Sequence, residues 1–200
     1  MWVALLAVAL FGSLAALVTS GSTSQFDLTA RGAIHAWASL RLTFAMRGFT
    51  HLGSSIFWAP LGIFLVWRLA ARRQRQAAVL LALAALGGEA WQQGLKLLFR
   101  RPRPEAFFGL AQPETYSFPS GHSMASGCFY GSLALIAASQ ARSGARRWAI
   151  WAGAVALIGV VGFSRIYLGM HYPTDVLGGY LAALAWLAIL RAALAPYRDR

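Results

Sequence analysis

Three short segments of this chain gather side chains suited to a single kind of chemistry. The first runs from Lys96 through Arg100, Arg101, Pro102 and Arg103 to Pro104; the second is Pro119-Ser120-Gly121-His122. The third opens with Ser164-Arg165 and reaches His171 and then Asp175. Lys96, Arg103 and Arg165 offer positive charge, the arginines in bidentate geometry. A phosphoryl group in transfer asks for such cations around its equatorial oxygens, with a nucleophile in line and an acid at the leaving oxygen. Ser120 and Gly121 fall at the expected start of a helix, where free backbone N–H groups and the helix dipole favour an anion. Glycine there lets the backbone come close. His122 and His171 remain for covalent chemistry and proton transfer. Pro173 suits the first turn of a helix, which places Asp175 within reach of one ring nitrogen of His171. The other nitrogen is then left to face phosphorus, the orienting logic of catalytic triads.

Metal-assisted hydrolysis is the natural rival, and a two-metal centre needs several bridging carboxylates. The chain has only six acidic residues, Asp27, Asp175, Asp199, Glu89, Glu105 and Glu114. Those outside the third segment are scattered, so the expectation is a reaction with no metal and no cofactor.

The elements that must position these residues are written in the composition. Of 200 residues, 58% are hydrophobic and only 12% charged, with a formal net charge of +12 and a mean hydropathy of +0.55. Ordinary soluble domains carry about a quarter charged residues. A sequence pI near 11.4 would suit a nucleic-acid binder, but such proteins are rich in charge throughout; a membrane protein with basic loops fits both numbers, and no nucleic-acid partner is expected. Six stretches approach the ~20 apolar residues that cross a bilayer: Trp2 to Val18, about Leu52 to Ala71, about Ala77 to Phe99, Gly121 to about Ala141, Trp148 to about Tyr167, and Pro173 to about Ala195. The first lacks the basic n-region of a signal peptide and reads as a retained helix. The expected fold is an all-α membrane bundle of six transmembrane helices forming one domain over residues 1–200. Between the first two spans, an interfacial amphipathic helix is expected from about Phe26 to Arg47, with Ile34, Trp37, Leu40 and Phe44 toward lipid.

Arginine placement sets the expected orientation. Arg68, Arg72, Arg73 and Arg75 follow the second span, Arg142, Arg146 and Arg147 the fourth, and Arg191, Arg198 and Arg200 the last. These segments lie on one side, the cytoplasm, together with both termini. Lys96, Arg100, Arg101, Arg103 and Arg165 fall on the opposite side, against that bias, where an anion would explain them.

The three segments match, in order and at every fixed position, K-x6-R-P, P-S-G-H and S-R-x5-H-x3-D. On these motifs the chain resembles the type-2 phosphatidic acid phosphatase superfamily. The resemblance implies that His171 is the nucleophile, forming a phosphohistidine, and that Asp175 orients it. It makes His122 the general acid at the leaving oxygen and then the base for water. Lys96, Arg103, Ser120, Gly121 and Arg165 are the implied phosphate ligands. The implied protein is a lipid phosphatase of the bacterial cytoplasmic (inner) membrane with its active site on the periplasmic or extracellular face. Its partners are the bilayer and a lipid phosphate or diphosphate, among them undecaprenyl diphosphate, phosphatidylglycerophosphate and phosphatidic acid; no obligate protein partner is inferred. The stretch from Phe26-Asp27 to Thr50-His51-Leu52-Gly53 shares a softer likeness to bacterial members. Vanadate-dependent haloperoxidases share the phosphate motifs but are soluble. A non-hydrolytic phospholipid carrier on the same scaffold would need neither the His171–Asp175 pair nor His122.

Residues outside the motifs carry smaller expectations. His35 and His51 read as interfacial, and Cys128 as core packing. Arg100 and Arg101 are either ligands of a second phosphate or lipid headgroup, or solvated residues at a helix end. Glu89 lies seven residues before Lys96 on nearly the same helix face. It either pairs with an arginine, shapes the cavity below the phosphate, or serves as polar glue between helices.

Overall fold

A computed structural model describes residues 2–194; Arg198, Arg200 and the end of the last predicted span lie outside them. The described chain is helical: α1 (Trp2–Thr19), α2 (Ser24–His35), α3 (Leu40–His51), α4 (Ser55–Ala71), α5 (Arg75–Ala82), α6 (Gly88–Phe99), α7 (Gly121–Ser139), α8 (Gly144–Tyr167) and α9 (Pro173–Leu194). A π-helical turn, Leu83–Gly87, joins α5 to α6. The six apolar stretches of the sequence correspond to α1, α4, the α5–α6 pair, α7, α8 and α9.

α7 is the axis of the bundle. Between Ser123 and Ser132 every residue except Ala125 is buried, because α8 and α9 pack along it on two sides. Small residues allow this approach: a Cβ on Gly127 would lie 2.6 Å from the Ala183 Cβ, and one on Gly131 2.7 Å from the Leu187 Cδ1. Residues four apart on α7 thus meet residues four apart on α9, the small-residue packing that membrane helices use. Cys128 is buried beside Met124, Ala182 and Ala183, as expected.

The outer helices show their apolar residues to the surroundings. In α1 only Ala7, Ala15 and Val18 are buried, while Trp2, Leu5, Leu6 and Leu10 are exposed. Such an apolar surface suits a lipid surrounding. Among the described residues, α1, α8 and α9 are long and apolar enough to cross a membrane singly, and α3 with α4, bent by 42°, adds a fourth. α4 has 17 residues, the π turn interrupts α5–α6, and serines and glycines dilute α7. The carbonyl of Leu83, in the π turn, is satisfied by the indole N–H of Trp186 at 3.0 Å.

The segment after α1 departs from a single interfacial helix. It breaks into α2 and α3 at Ala36–Ser39, and the Ser39 hydroxyl caps α3 by accepting from the Leu42 N–H. Trp37, Leu40 and Phe44 do face outward, but Ile34 turns inward against the cluster around Met46, Tyr167 and Leu168. α2 exposes Phe26 and Leu28 and buries Asp27 completely, the reverse of a soluble amphipathic helix. His35 is half-buried with its ring stacked on Phe107 at 3.8 Å, so it is a packing residue; His51 is exposed.

Candidate active site

All three motif segments meet at one end of the bundle. The C-terminal turn of α6 carries Lys96, the loop from Arg100 to Ser120 carries Arg103, and the first turn of α7 carries His122. The last turn of α8 supplies Arg165, the α8–α9 loop supplies His171, and the first turn of α9 supplies Asp175. Every site residue read from the sequence is therefore brought together.

The cations are bound chiefly to neutral groups. The Lys96 ammonium donates to the Tyr116 carbonyl at 2.9 Å. Arg103 donates to the Thr115 carbonyl at 2.7 Å, the Thr115 hydroxyl at 2.8 Å and the Met170 carbonyl at 3.1 Å. Arg165 donates to the Thr50 hydroxyl at 2.7 Å, while its Nε is buried with no hydrogen-bond partner among the described residues. Among the described residues none of these three forms a salt bridge with a carboxylate, although they lie close enough to repel one another. Burial also works against the charge of Arg103 and holds its pKa below the ordinary value. Buried charge without an ion-pair partner is costly, and an anion among the three would relieve it.

His171 is 1% exposed. Its Nδ1 lies 3.4 Å from Asp175 Oδ2 and 3.3 Å from the Ser117 hydroxyl, and its Nε2 lies 3.3 Å from Arg103 Nη1. Burial pushes its pKa down to about 4, with Asp175 opposing and Arg165 and Arg103 assisting. The imidazole is neutral at pH 7, with one nitrogen toward the carboxylate and the other toward the cations. Ser120 differs in detail from the sequence expectation: its N–H is committed to the Asp175 carbonyl at 2.9 Å. What remains for an anion is the Ser120 hydroxyl and the first-turn N–H groups of Gly121 and His122, which lack intrahelical partners. His122 packs beside the α3–α4 break. A Cβ on Gly53 would come within 3.2 Å of the His122 Cβ and 2.6 Å of the Val161 Cγ1.

Several residues at the site were invisible as such in the sequence. Arg101 is neither solvated nor free: it forms ion pairs with Asp175 at 2.6 Å and Asp27 at 2.7 Å. Burial opposes its charge, yet Asp175 and Asp27 more than offset that and raise its pKa. Ser117 and Thr174 bond to the same carboxylates. Thr50 and Gly53 both lie against motif side chains, Arg165 and His122. Glu89 accepts from Gln93 at 2.8 Å, and Gln92 reaches it at 3.1 Å once its amide is oriented to donate. Among the described residues it makes no salt bridge with an arginine, leaving its polar contacts within α6. A cavity of about 460 Å³ opens beside Lys96 and Arg103, lined also by Gln93, Leu97, Gln112 and Thr115. Leu97 and Leu98 next to it are well exposed.

Comparison with known proteins agrees with this fold. Phosphatidylglycerophosphatase B of Bacillus subtilis is 37% identical over 142 residues, covering 70% of this chain and 68% of that protein. An undecaprenyl-diphosphatase of Sulfolobus acidocaldarius is 26% identical over 143 residues, covering 69% of this chain and 63% of that protein. The crystal structure of a transmembrane PAP2-type phosphatidylglycerolphosphate phosphatase from Bacillus subtilis superposes over 100% of both chains, with a TM-score of 0.90 at 28% identity. The sequence pattern of the PAP2 superfamily matches residues 76–198, and with the three motif segments assembled at one end of a membrane bundle, the chain belongs to that superfamily.

Proposed function

We propose that the protein hydrolyses a lipid phosphate or diphosphate, of the kind of phosphatidylglycerophosphate, undecaprenyl diphosphate or phosphatidic acid, through a phosphohistidine. The observation that carries this reading is the placement of His171. Its Nδ1 faces Asp175, and its Nε2 lies against Arg103, in a group of cations that forms no ion pair with a carboxylate among the described residues. The substrate phosphate takes the contacts that Arg103 now makes to Nε2, held by Lys96, Arg103, Arg165, Ser120 and Gly121. The Nε2 lone pair forms the N–P bond as the P–O bond to the leaving group breaks. His122 gives its proton to the departing oxygen and then takes one from water, whose oxygen attacks phosphorus and releases His171. The reaction so written needs no divalent metal.

All six apolar segments cross the membrane in this reading, with both termini inside and the site at the periplasmic or extracellular face. The cavity beside Lys96 and the exposed Leu97 and Leu98 admit a lipid sideways from the outer leaflet, acyl chains outside and phosphate inward. Phosphate release from a lipid panel in EDTA is the test. Wild type is active; His171→Ala and His122→Ala are not, and radiolabelled phosphate is trapped on His171 in wild type only. Equal turnover in both variants refutes the assignment, and strict dependence on added divalent metal refutes the mechanism. A cysteine placed at Glu114, in a background lacking Cys128, reports the side through an impermeant thiol reagent.

A further inference from the structure

Asp27 lies outside the residues matched by the family pattern and on a helix the motifs do not include, yet it is completely buried at the site. Its Oδ1 accepts from the Thr174 N–H at 3.0 Å, and its Oδ2 from the Thr174 hydroxyl at 2.7 Å and Arg101 Nη2 at 2.7 Å. The other arm of Arg101, Nη1, donates to the Thr174 hydroxyl at 2.8 Å and to Asp175 Oδ1 at 2.6 Å. The guanidinium carbon rests 4.3 Å from the centre of the Tyr172 ring. Asp175 Oδ2 accepts from the Tyr172 N–H at 2.9 Å and from the Ser117 hydroxyl, and faces His171 Nδ1. Both oxygens of the orienting carboxylate are thereby fixed, one of them through Arg101.

We propose that Asp27 and Arg101 are positioning residues that act through Asp175 on His171, fixing the carboxylate and setting its charge. The inference rests on His171 being the nucleophile. Attack through Nε2 places positive charge on the phosphorylated ring, and Asp175 is the counter-charge on its far side. Paired with Arg101 alone, Asp175 would belong to a neutral couple and answer that charge weakly. Asp27 shares the guanidinium, so the buried triad keeps one net negative charge toward the imidazole. Without Arg101, the carboxylates of Asp27 and Asp175, both held at the first turn of α9, would repel each other. These groups act on the ring through Asp175 at its Nδ1, while the phosphate is placed at Nε2, so the loss falls chiefly on the chemical step.

Such positioning leaves a signature that a merely structural role would not. Asp27→Asn lowers kcat about tenfold and Arg101→Gln about a hundredfold, against about 10⁴ for losing an orienting carboxylate outright, with KM within about a factor of two of wild type. The double variant is about tenfold faster than Arg101→Gln alone, because removing Asp27 lifts the repulsion on Asp175. The assay is phosphate release from a lipid phosphate in nanodiscs, on protein that elutes as a single species. Single losses that multiply in the double variant, or that reside in KM, overturn the proposal. His171→Ala is measured alongside: if it keeps activity, the nucleophile assignment fails, whereas an inactive His171→Ala beside a fully active Asp27→Asn refutes the relay alone. Should the charge variants not fold, Thr174→Val decides, since it removes the bridging hydroxyl and leaves every charge. Its kcat falls about threefold at unchanged KM if the relay holds, and unchanged kcat refutes it.

Discussion

Acidification offers a direct measure of how the fold has prepared His171. In the unfolded chain its imidazole titrates near the ordinary value of 6.5, while in the folded protein burial brings it to about 4 against the pull of Asp175. At pH 5.5, a histidine with a pKa of 6.5 is neutral in only ~9% of molecules, whereas one at 4 is neutral in ~97%. The nucleophile is then about tenfold more available at pH 5.5 than an ordinary histidine would be. The same shift sets the sign of a stability effect. Between pH 6.5 and 4 the unfolded state binds the proton that the buried ring refuses, so stability falls as pH drops through that window. The assay is NMR of protein labelled at the imidazole nitrogens, titrated in detergent from pH 7 to 4, with the His171 signal assigned from His171→Gln. A direct titration avoids the second ionisation of a phosphate monoester, which would overlap any pH–rate profile. A midpoint near 6.5 for His171 would refute the argument, because burial among cations would then not govern the ring.

Two further outcomes follow from the packing. Thr50→Val removes the hydroxyl that Arg165 donates to at 2.7 Å. A hydrogen bond from a charged donor contributes about 1.5–3 kcal/mol; with about half of that carried into binding, KM for the lipid phosphate is expected to rise about threefold to tenfold, with a smaller change in kcat, by steady-state phosphate release. Gly127→Ala places a methyl 2.6 Å from the Ala183 Cβ, so α7 and α9 must separate; the expected loss is about 1–3 kcal/mol, read as a lower thermal midpoint in detergent with KM unchanged.

The parts of this molecule that were legible in the sequence are those governed by local rules. Long apolar runs located α1, α4, α7, α8 and α9 to within a few residues, and Pro173 marked the start of α9 as it should. Fixed spacing within each motif placed Lys96, Arg103, His122, Arg165, His171 and Asp175 at one end. Contacts between distant segments were not legible. Arg101 and Asp27 are 74 residues apart, and nothing in either neighbourhood names the other. A carboxylate counted among scattered acids became half of a buried ion pair only once α2 lay across the start of α9. The break between α2 and α3 escaped for a related reason: Ile34, Leu40 and Phe44 fit one helical face equally well whether or not Ser39 starts a new helix. Nor does the apolar pattern of residues 77–99 reveal a π turn, whose open carbonyl is answered by Trp186 from another helix.

The bend between α3 and α4 bears on how relatives of this protein can be recombined. Every motif residue falls within 76–198, which invites treating that stretch as a portable unit. Yet the first 75 residues supply Thr50 to Arg165, the uncrowded backbone of Gly53 to His122, and Asp27 to Arg101. A chimera that exchanges only the motif-bearing stretch inherits a foreign set of supports for three of its side chains. The boundary for an exchange between relatives therefore lies ahead of α2, in the turn after α1, where those supports travel with the residues they hold.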